Sequence, residues 1–270
     1  MNQNYFRIAF FIIFANLIFS CQKIDQLAEN FKFQKKSAVE IGKNFPTDIS
    51  ILLPTQYRKE STGYPKNAID ENWMEIYKDE KSGKWIIGNA DLHISYGRDE
   101  CVGEDVMIIK SKNEKAALFF TNFEGLMENP ETVLENISLY PEHPVSFKLN
   151  GEDYSLSAKG NVLDEKGFVI PANFVRNRTD QELADSQIKN YSISFFGDAK
   201  NIELFTSPEI KFTTPKIIWL GDLNGDHLPD MILDLSEFFE AQHFYFFLSD
   251  PSDKEIPLKK LADLQVVNDC

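Results

Sequence analysis

Residues 219–236 read WLGDLNGDHLPDMILDLS, and within them Asp222, Asn224, Asp226, Leu228 and Asp230 recur at even spacing. Counted from Asp222, positions 1, 3, 5 and 9 carry carboxylate or amide oxygens, and position 7 can offer its main-chain carbonyl. Alternate residues of a tightly curled loop point inward, so this spacing gathers hard oxygen donors around one point. Such a donor set suits Ca²⁺, which takes oxygen ligands at about 2.4 Å. Without a cation, three crowded carboxylates repel one another. One ion in one loop is a structural staple rather than a catalyst.

The other reactive side chains form no such pattern. The histidines are His93, His143, His227 and His243, and no two have the spacing of paired metal ligands. The chain has no GxSxG elbow, no HExxH, no Walker loop and no Gly-rich dinucleotide fingerprint. Acidic neighbours such as Glu104 with Asp105, or Asp234 with Glu237, are expected by chance among 42 acids, so no glycosidase dyad is argued from them.

The elements around the loop read as strands. IIWL at 217–220 precedes it and MILDL at 231–235 follows it, both rich in β-branched and large apolar residues. The same character marks 73–78, 84–89, 93–96, 106–110, 116–123, 145–149, 154–158, 191–196, 201–205, 243–248 and 264–267. DEKSG after Lys78, Asn150-Gly151 after Leu149, and GDAK after Phe196 are hairpin turns. The Asn-Gly pair is the strongest of these, because both residues tolerate a positive φ. Asn129-Pro130-Glu131 before TVLEN predicts a short helix, with Asn129 as its cap and Pro130 in its first turn. No fixed-period repeat occurs, which argues against a propeller or solenoid. The expectation is a mainly β fold of antiparallel, sandwich-like sheets built from hairpins, with few short helices.

The 222–230 loop resembles the calcium-binding loops of FG-GAP/VCBS-type repeats, and also the first nine positions of an EF-hand or dockerin loop. The resemblance implies Ca²⁺ held by Asp222, Asn224, Asp226, the Leu228 carbonyl and Asp230. Strand-like flanks favour the β version, and Leu233 stands where an EF-hand carries its bidentate Glu. His227 occupies the position where these families usually place Gly for a positive φ. More broadly, the Leu139–Asn161 hairpin, the loop and the later strand ending in FLS resemble a group of secreted bacterial proteins and lipoproteins. That likeness implies a location and an ion, not a reaction.

The first residues read as a targeting signal. Arg7 is the lone charge before an apolar run from Ile8 to Phe19, too short to span a bilayer and suited to a secretory core. Ile18-Phe19-Ser20-Cys21 resembles a bacterial lipobox, which implies cleavage before Cys21 and acylation of that residue. More than one acyl chain gives stable anchoring. Gln22 follows rather than Asp, so the expected location is the outer membrane of a bacterial envelope. The expected organisation is a signal peptide at 1–20, a lipid-anchored tether at 21–44 and one β-rich domain at 45–270. With Cys21 acylated, Cys101 and Cys270 remain as a pair for a disulfide in an oxidising compartment.

Lys plus Arg number 28 and Asp plus Glu 42, a net charge of −14 over 270 residues. That balance argues against nucleic acid as a partner and against electrostatic docking to anionic lipid, and for cations. The leading expectation is therefore an envelope-anchored lipoprotein with a Ca²⁺-stabilised β domain. It would be a non-enzymatic binding, adhesion or structural module, its partners the membrane through Cys21 and an envelope or extracellular ligand. The alternative is a secreted hydrolase acting on carbohydrate, which would need an acidic cleft.

Overall fold

A computed structural model describes residues 45–267, apart from 47–48, 60–62, 67, 70, 114, 180–182, 184–185, 198–199, 212, 239 and 254–256. All of these belong to one unit, Phe45–Cys270. The proposed signal peptide, tether and acylated Cys21 lie outside the described residues, as does Cys270.

The fold is mainly β, and among the described residues every pairing between the named strands is antiparallel. Among the described residues sixteen strands form four sheets. One sheet joins β1 (Ile51–Leu52), β7 (Ala116–Thr121), β3 (Trp73–Lys78) and β4 (Trp85–Asn89) in that order. A second joins β2 (Gln56–Arg58), β6 (Asp105–Ser111) and β5 (Leu92–Arg98). The third is a meander of β9 (Val145–Leu149), β10 (Glu152–Leu163), β11 (Gln187–Gly197) and β12 (Lys200–Ile210). The fourth runs β16 (Leu258–Val267), β15 (Ala241–Ser249), β14 (Asp230–Asp234), β13 (Lys216–Asp222) and β8 (Glu131–Ser138). A short helix α1 (Ala172–Val175) sits in the β10–β11 connection.

The fourth sheet is the centre of the molecule because both of its faces are apolar. Side chains alternate across a strand, and here both parities are buried. Met231 and Leu233 join one core with Leu156, Ile193 and Phe205 of the meander. Ile232 between them joins a second core with Ile76, Ile109 and Phe119 of the first two sheets. On β15, Tyr245 and Phe247 face the meander while Phe244, Phe246 and Leu248 face the other way. The arrangement is a sandwich with an added layer: the meander on one face, the first two sheets on the other. A bulge between Ile217 and Trp219 lets β13 change parity and seat the fully buried Trp219 in the second core.

The Asn150-Gly151 hairpin forms as the sequence implies, with φ of 50° and 87° at the two turn residues. The helix expected after Asn129-Pro130 does not form. Residues 131–138 are β8, paired to β13 from Glu131↔Asp222 to Ser138↔Lys216. Tertiary contacts decide it. Thr132 Oγ1 accepts the Trp219 indole N–H at 2.9 Å, and Glu135 Oε2 accepts that of Trp85 at 2.5 Å. Lys78 also pairs with Glu135, joining the first sheet to the edge of the central one. These partners lie on a strand face, and they outweigh a cap signal of about 1 kcal/mol.

Candidate metal centre

The acidic loop is the β13–β14 connection, at one end of the central sheet. Gly221 stands at its root against the start of β8. A Cβ there would lie 1.7 Å from the Glu131 carbonyl oxygen, so only glycine lets β8 approach this closely. Leu223 is fully buried in the second core, and its carbonyl accepts Met127 N at 3.0 Å. The loop is thereby pinned on both sides of Asp222.

Four of the five predicted residues are buried, Asp222 at 2% exposure, Asn224 at 5%, Asp226 at 6% and Asp230 at 0%, and Leu228 is half-buried. Backbone amides hold them. Asp222 accepts Gly225 N at 2.7 Å and His227 N at 2.9 Å. Asn224 Oδ1 accepts Asp226 N at 3.1 Å, and Asp226 Oδ1 accepts Leu228 N at 2.8 Å. The Asn224 amide donates to Asp226 Oδ2 at 3.2 Å. Asp230 spans the loop, accepting Leu223 N at 2.7 Å and Ser249 N at 2.8 Å. His227 takes φ of 69°, the left-handed conformation for which glycine is the usual residue. Its Nδ1 lies 3.6 Å from Asp222 Oδ2. From the neighbouring layer, the Asn150 amide at the β9–β10 turn donates to the His227 carbonyl at 3.1 Å.

Burial dominates the electrostatics. It pushes the Asp226 carboxyl up to about 7, with the Asp222 and Asp250 carboxylates adding to the rise. Asp230 is raised well above the ordinary carboxylate range, first by burial and then by Asp226 and Asp222. Both are acids that ionise at a cost unless a cation arrives.

Asp250 has no place in the loop spacing, yet the fold brings it here. Pairing of Met231 with Phe247 runs β15 past the loop so that Ser249 meets Pro229 and Asp230. Ser249 Oγ donates to the Pro229 carbonyl at 2.6 Å. The next residue, Asp250, is 3% exposed and accepts Lys259 Nζ at 2.7 Å. Its carboxyl stays below the usual range despite burial, because Lys259 and Ser252 donate to it. The sequence clue was FLSDPSD at the end of a strand, which becomes informative only with the β14–β15 register in hand.

Among the described residues, no three His, Cys, Asp or Glu side chains stand as a formed metal cage. The oxygens are instead turned to loop amides. The donor set nonetheless fits a hard cation, with three buried carboxylates and one amide in a single loop. Asp222, Asn224, Asp226 and Asp230 would hold it, with the Leu228 carbonyl from position 7.

Cys101 lies in the β5–β6 turn and is disulfide-bonded. Asp99 shapes that turn, accepting Cys101 N and Arg58 Nε, each at 2.9 Å. Those two donors, the amide first, hold the Asp99 carboxyl below its usual range. The histidines stay apart: His143 is bonded to the Val175 carbonyl and His243 to Asp263. Among the described residues, surface cavities of about 320 to 740 Å³ each present one carboxylate, Glu203, Glu71 (lining two) or Asp153.

No protein-family model matches the chain, and no curated protein or solved structure matches it either. The likeness to FG-GAP/VCBS-type loops therefore rests on the residues of 222–230 themselves.

Proposed function

We propose that this protein is a lipid-anchored module of a bacterial envelope, non-enzymatic, whose β domain is stapled by Ca²⁺ at the 222–230 loop. One observation carries the metal half: Asp222, Asp226 and Asp230 are buried together in one loop, with Asn224 beside them. Burying three carboxylates is expensive unless a cation compensates. Bound Ca²⁺ would supply that charge and lock the β13–β14 connection to β8, β15 and the Asn150 turn. The anchor half rests on Ile18-Phe19-Ser20-Cys21. Acylation at Cys21 would hold the domain at the membrane, free to bind an envelope or extracellular ligand.

Thermal unfolding of the chain from Gln22 onward tests the staple. Millimolar Ca²⁺ is expected to raise the midpoint over EDTA for the wild type and not for Asp226→Ala. At a free concentration 100-fold above Kd the gain is about 2.7 kcal/mol. Coincident curves would remove the metal reading. Metabolic labelling with a fatty-acid analogue tests the anchor, and label retained by Cys21→Ser would remove it.

A further inference from the structure

Among the described residues Glu71 Oε2 is the one buried side-chain oxygen or nitrogen without a hydrogen-bond partner. The acids buried elsewhere in the fold are all served. Arg58 donates to Asp99, Lys259 to Asp250, Ser111 and Asn113 to Glu75, and backbone amides to Asp222, Asp226 and Asp230. An unpaired buried acceptor is costly, and one retained in a native fold calls for a reason.

Glu71 stands on the wall of a cavity of about 740 Å³, a size that suits a small molecule. The cavity lies where the first sheet hands the chain to the second. Pairing of Met74 with Asn89, and the bond from Ala90 N to the Trp73 carbonyl at 2.9 Å, set the end of β4 beside β3. Leu92 of β5 then adds to the lining. Ile69, two residues before Glu71, lines the same space and is 67% exposed. A carboxylate oxygen without a donor and an isoleucine open to solvent thus meet in one cavity.

The lining sets the chemistry of an occupant. Its polar side chains are Glu71 and the amides of Asn72, Asn89 and Asn122, and among the described residues no lysine, arginine or histidine joins them. Asp91, in the turn between β4 and β5, is paired with Lys112. Lys66 lines a smaller cavity of about 320 Å³ that Glu71 also borders, yet Oε2 accepts nothing from it. In the sequence the neighbour of Glu71 is a further acid, Asp70. An anionic ligand is therefore unsuited. A sugar stacked on an aromatic ring is unsuited too, because Trp73 is 7% exposed and its indole N–H is given to the Ala68 carbonyl at 2.8 Å. What fits is a cationic N–H donor carried on an apolar body.

We propose that this cavity binds a small primary ammonium ligand, its N–H groups donated to Glu71 and the asparagine side-chain oxygens and its apolar body laid against Ile69, Met74 and Leu92. The terminal torsion of a glutamate is broad, so either carboxylate oxygen can turn to the ligand. The proposal rests on the reading of the domain as a ligand-binding module and gives that ligand a chemistry.

The test is titration calorimetry of the chain from Gln22 onward with phenethylammonium, beside its neutral counterpart phenethyl alcohol. The ammonium should bind, and the alcohol about tenfold more weakly. Glu71→Gln should weaken the ammonium about tenfold and Ile69→Ser about fivefold, with near-UV circular dichroism unchanged. Asp153→Asn removes the same charge at another cavity and should leave the titration as it is. In the free chain Glu71→Gln should not lower the thermal midpoint, since Oε2 has no partner to lose. The proposal is overturned if the ammonium does not bind at millimolar concentration, or if the alcohol binds as tightly. It is overturned equally if Glu71→Gln binds like the wild type, or if Asp153→Asn weakens binding as much as Glu71→Gln does. A midpoint lowered by Glu71→Gln would also overturn it, by showing the carboxylate to be partnered within the fold. None of these readings uses Cys21 or the 222–230 loop, so a failed acyl label or a failed Ca²⁺ shift leaves them standing.

Discussion

The β13–β14 loop and the β10–β11 connection invert the usual sorting of side chains in opposite directions. The first puts three carboxylates where leucines would ordinarily sit, at 0 to 6% exposure. The second puts two phenylalanines and a valine in water at 58 to 68%. Each carries hydrogen bonds of its own to the described backbone. They differ in the partner that each would suit. A buried acid wants a cation that comes to it, whereas an exposed ring wants a surface to which it can go. The costs differ as well. Exposed apolar area is ordinary for proteins, while buried unpaired charge is rare and expensive. The acidic loop should therefore dominate stability, and the apolar connection should matter only in association.

The largest effect expected is at Asp230. Asp230→Ala removes the acceptor for Leu223 N and Ser249 N inside a buried site, and should cost about 3 kcal/mol or more in urea unfolding. A loss below 1 kcal/mol would mean that the carboxylate is a burden in the native state, and the contrast between the regions would collapse.

Next is the pH dependence without metal. The folded Asp226 pKa of about 7 lies above its ordinary 3.8, and Asp230 is also raised. Between those values the folded state holds protons that the unfolded chain has released. Their contribution is thus full below about pH 4 and is lost as pH rises through about 7. The unfolding free energy from urea titrations in EDTA should fall over that window by a few kcal/mol in total. Millimolar Ca²⁺ should flatten the fall, because the ion binds the ionised form. A midpoint that rises from pH 5 to 7 in EDTA would contradict this account of the two acids.

The smallest effect is at the exposed rings. Phe168→Ser should shift unfolding by no more than about 0.5 kcal/mol. A cost comparable to that of Asp230→Ala would show the ring packed within the domain, and the two regions would no longer be opposites.

Much of the fold could be read from residues. Alternating apolar patterns located most strands, and Asn150-Gly151 formed the turn its chemistry implies. Local pattern was least informative where long-range pairing decides. Thr132, Val133 and Ile137 are β-branched residues behind a good cap, and Asn129-Pro130 favoured a helix until β13 supplied a partner strand. The runs MILDL and FYFFL mark buried strands, but a run apolar at every position cannot say which sheets lie on its two faces. In the loop, spacing placed Asp222, Asn224, Asp226 and Asp230 together. Asp250 was invisible because it arrives through the β14–β15 register rather than through spacing.

The chain leaves the central sheet at Ser138 and re-enters directly opposite, at Lys216. The whole meander lies between those two points. Its hairpins need only local contacts, whereas β8 must find β13 across the entire inserted segment. Early formation of the meander would shorten that search by bringing the two ends close.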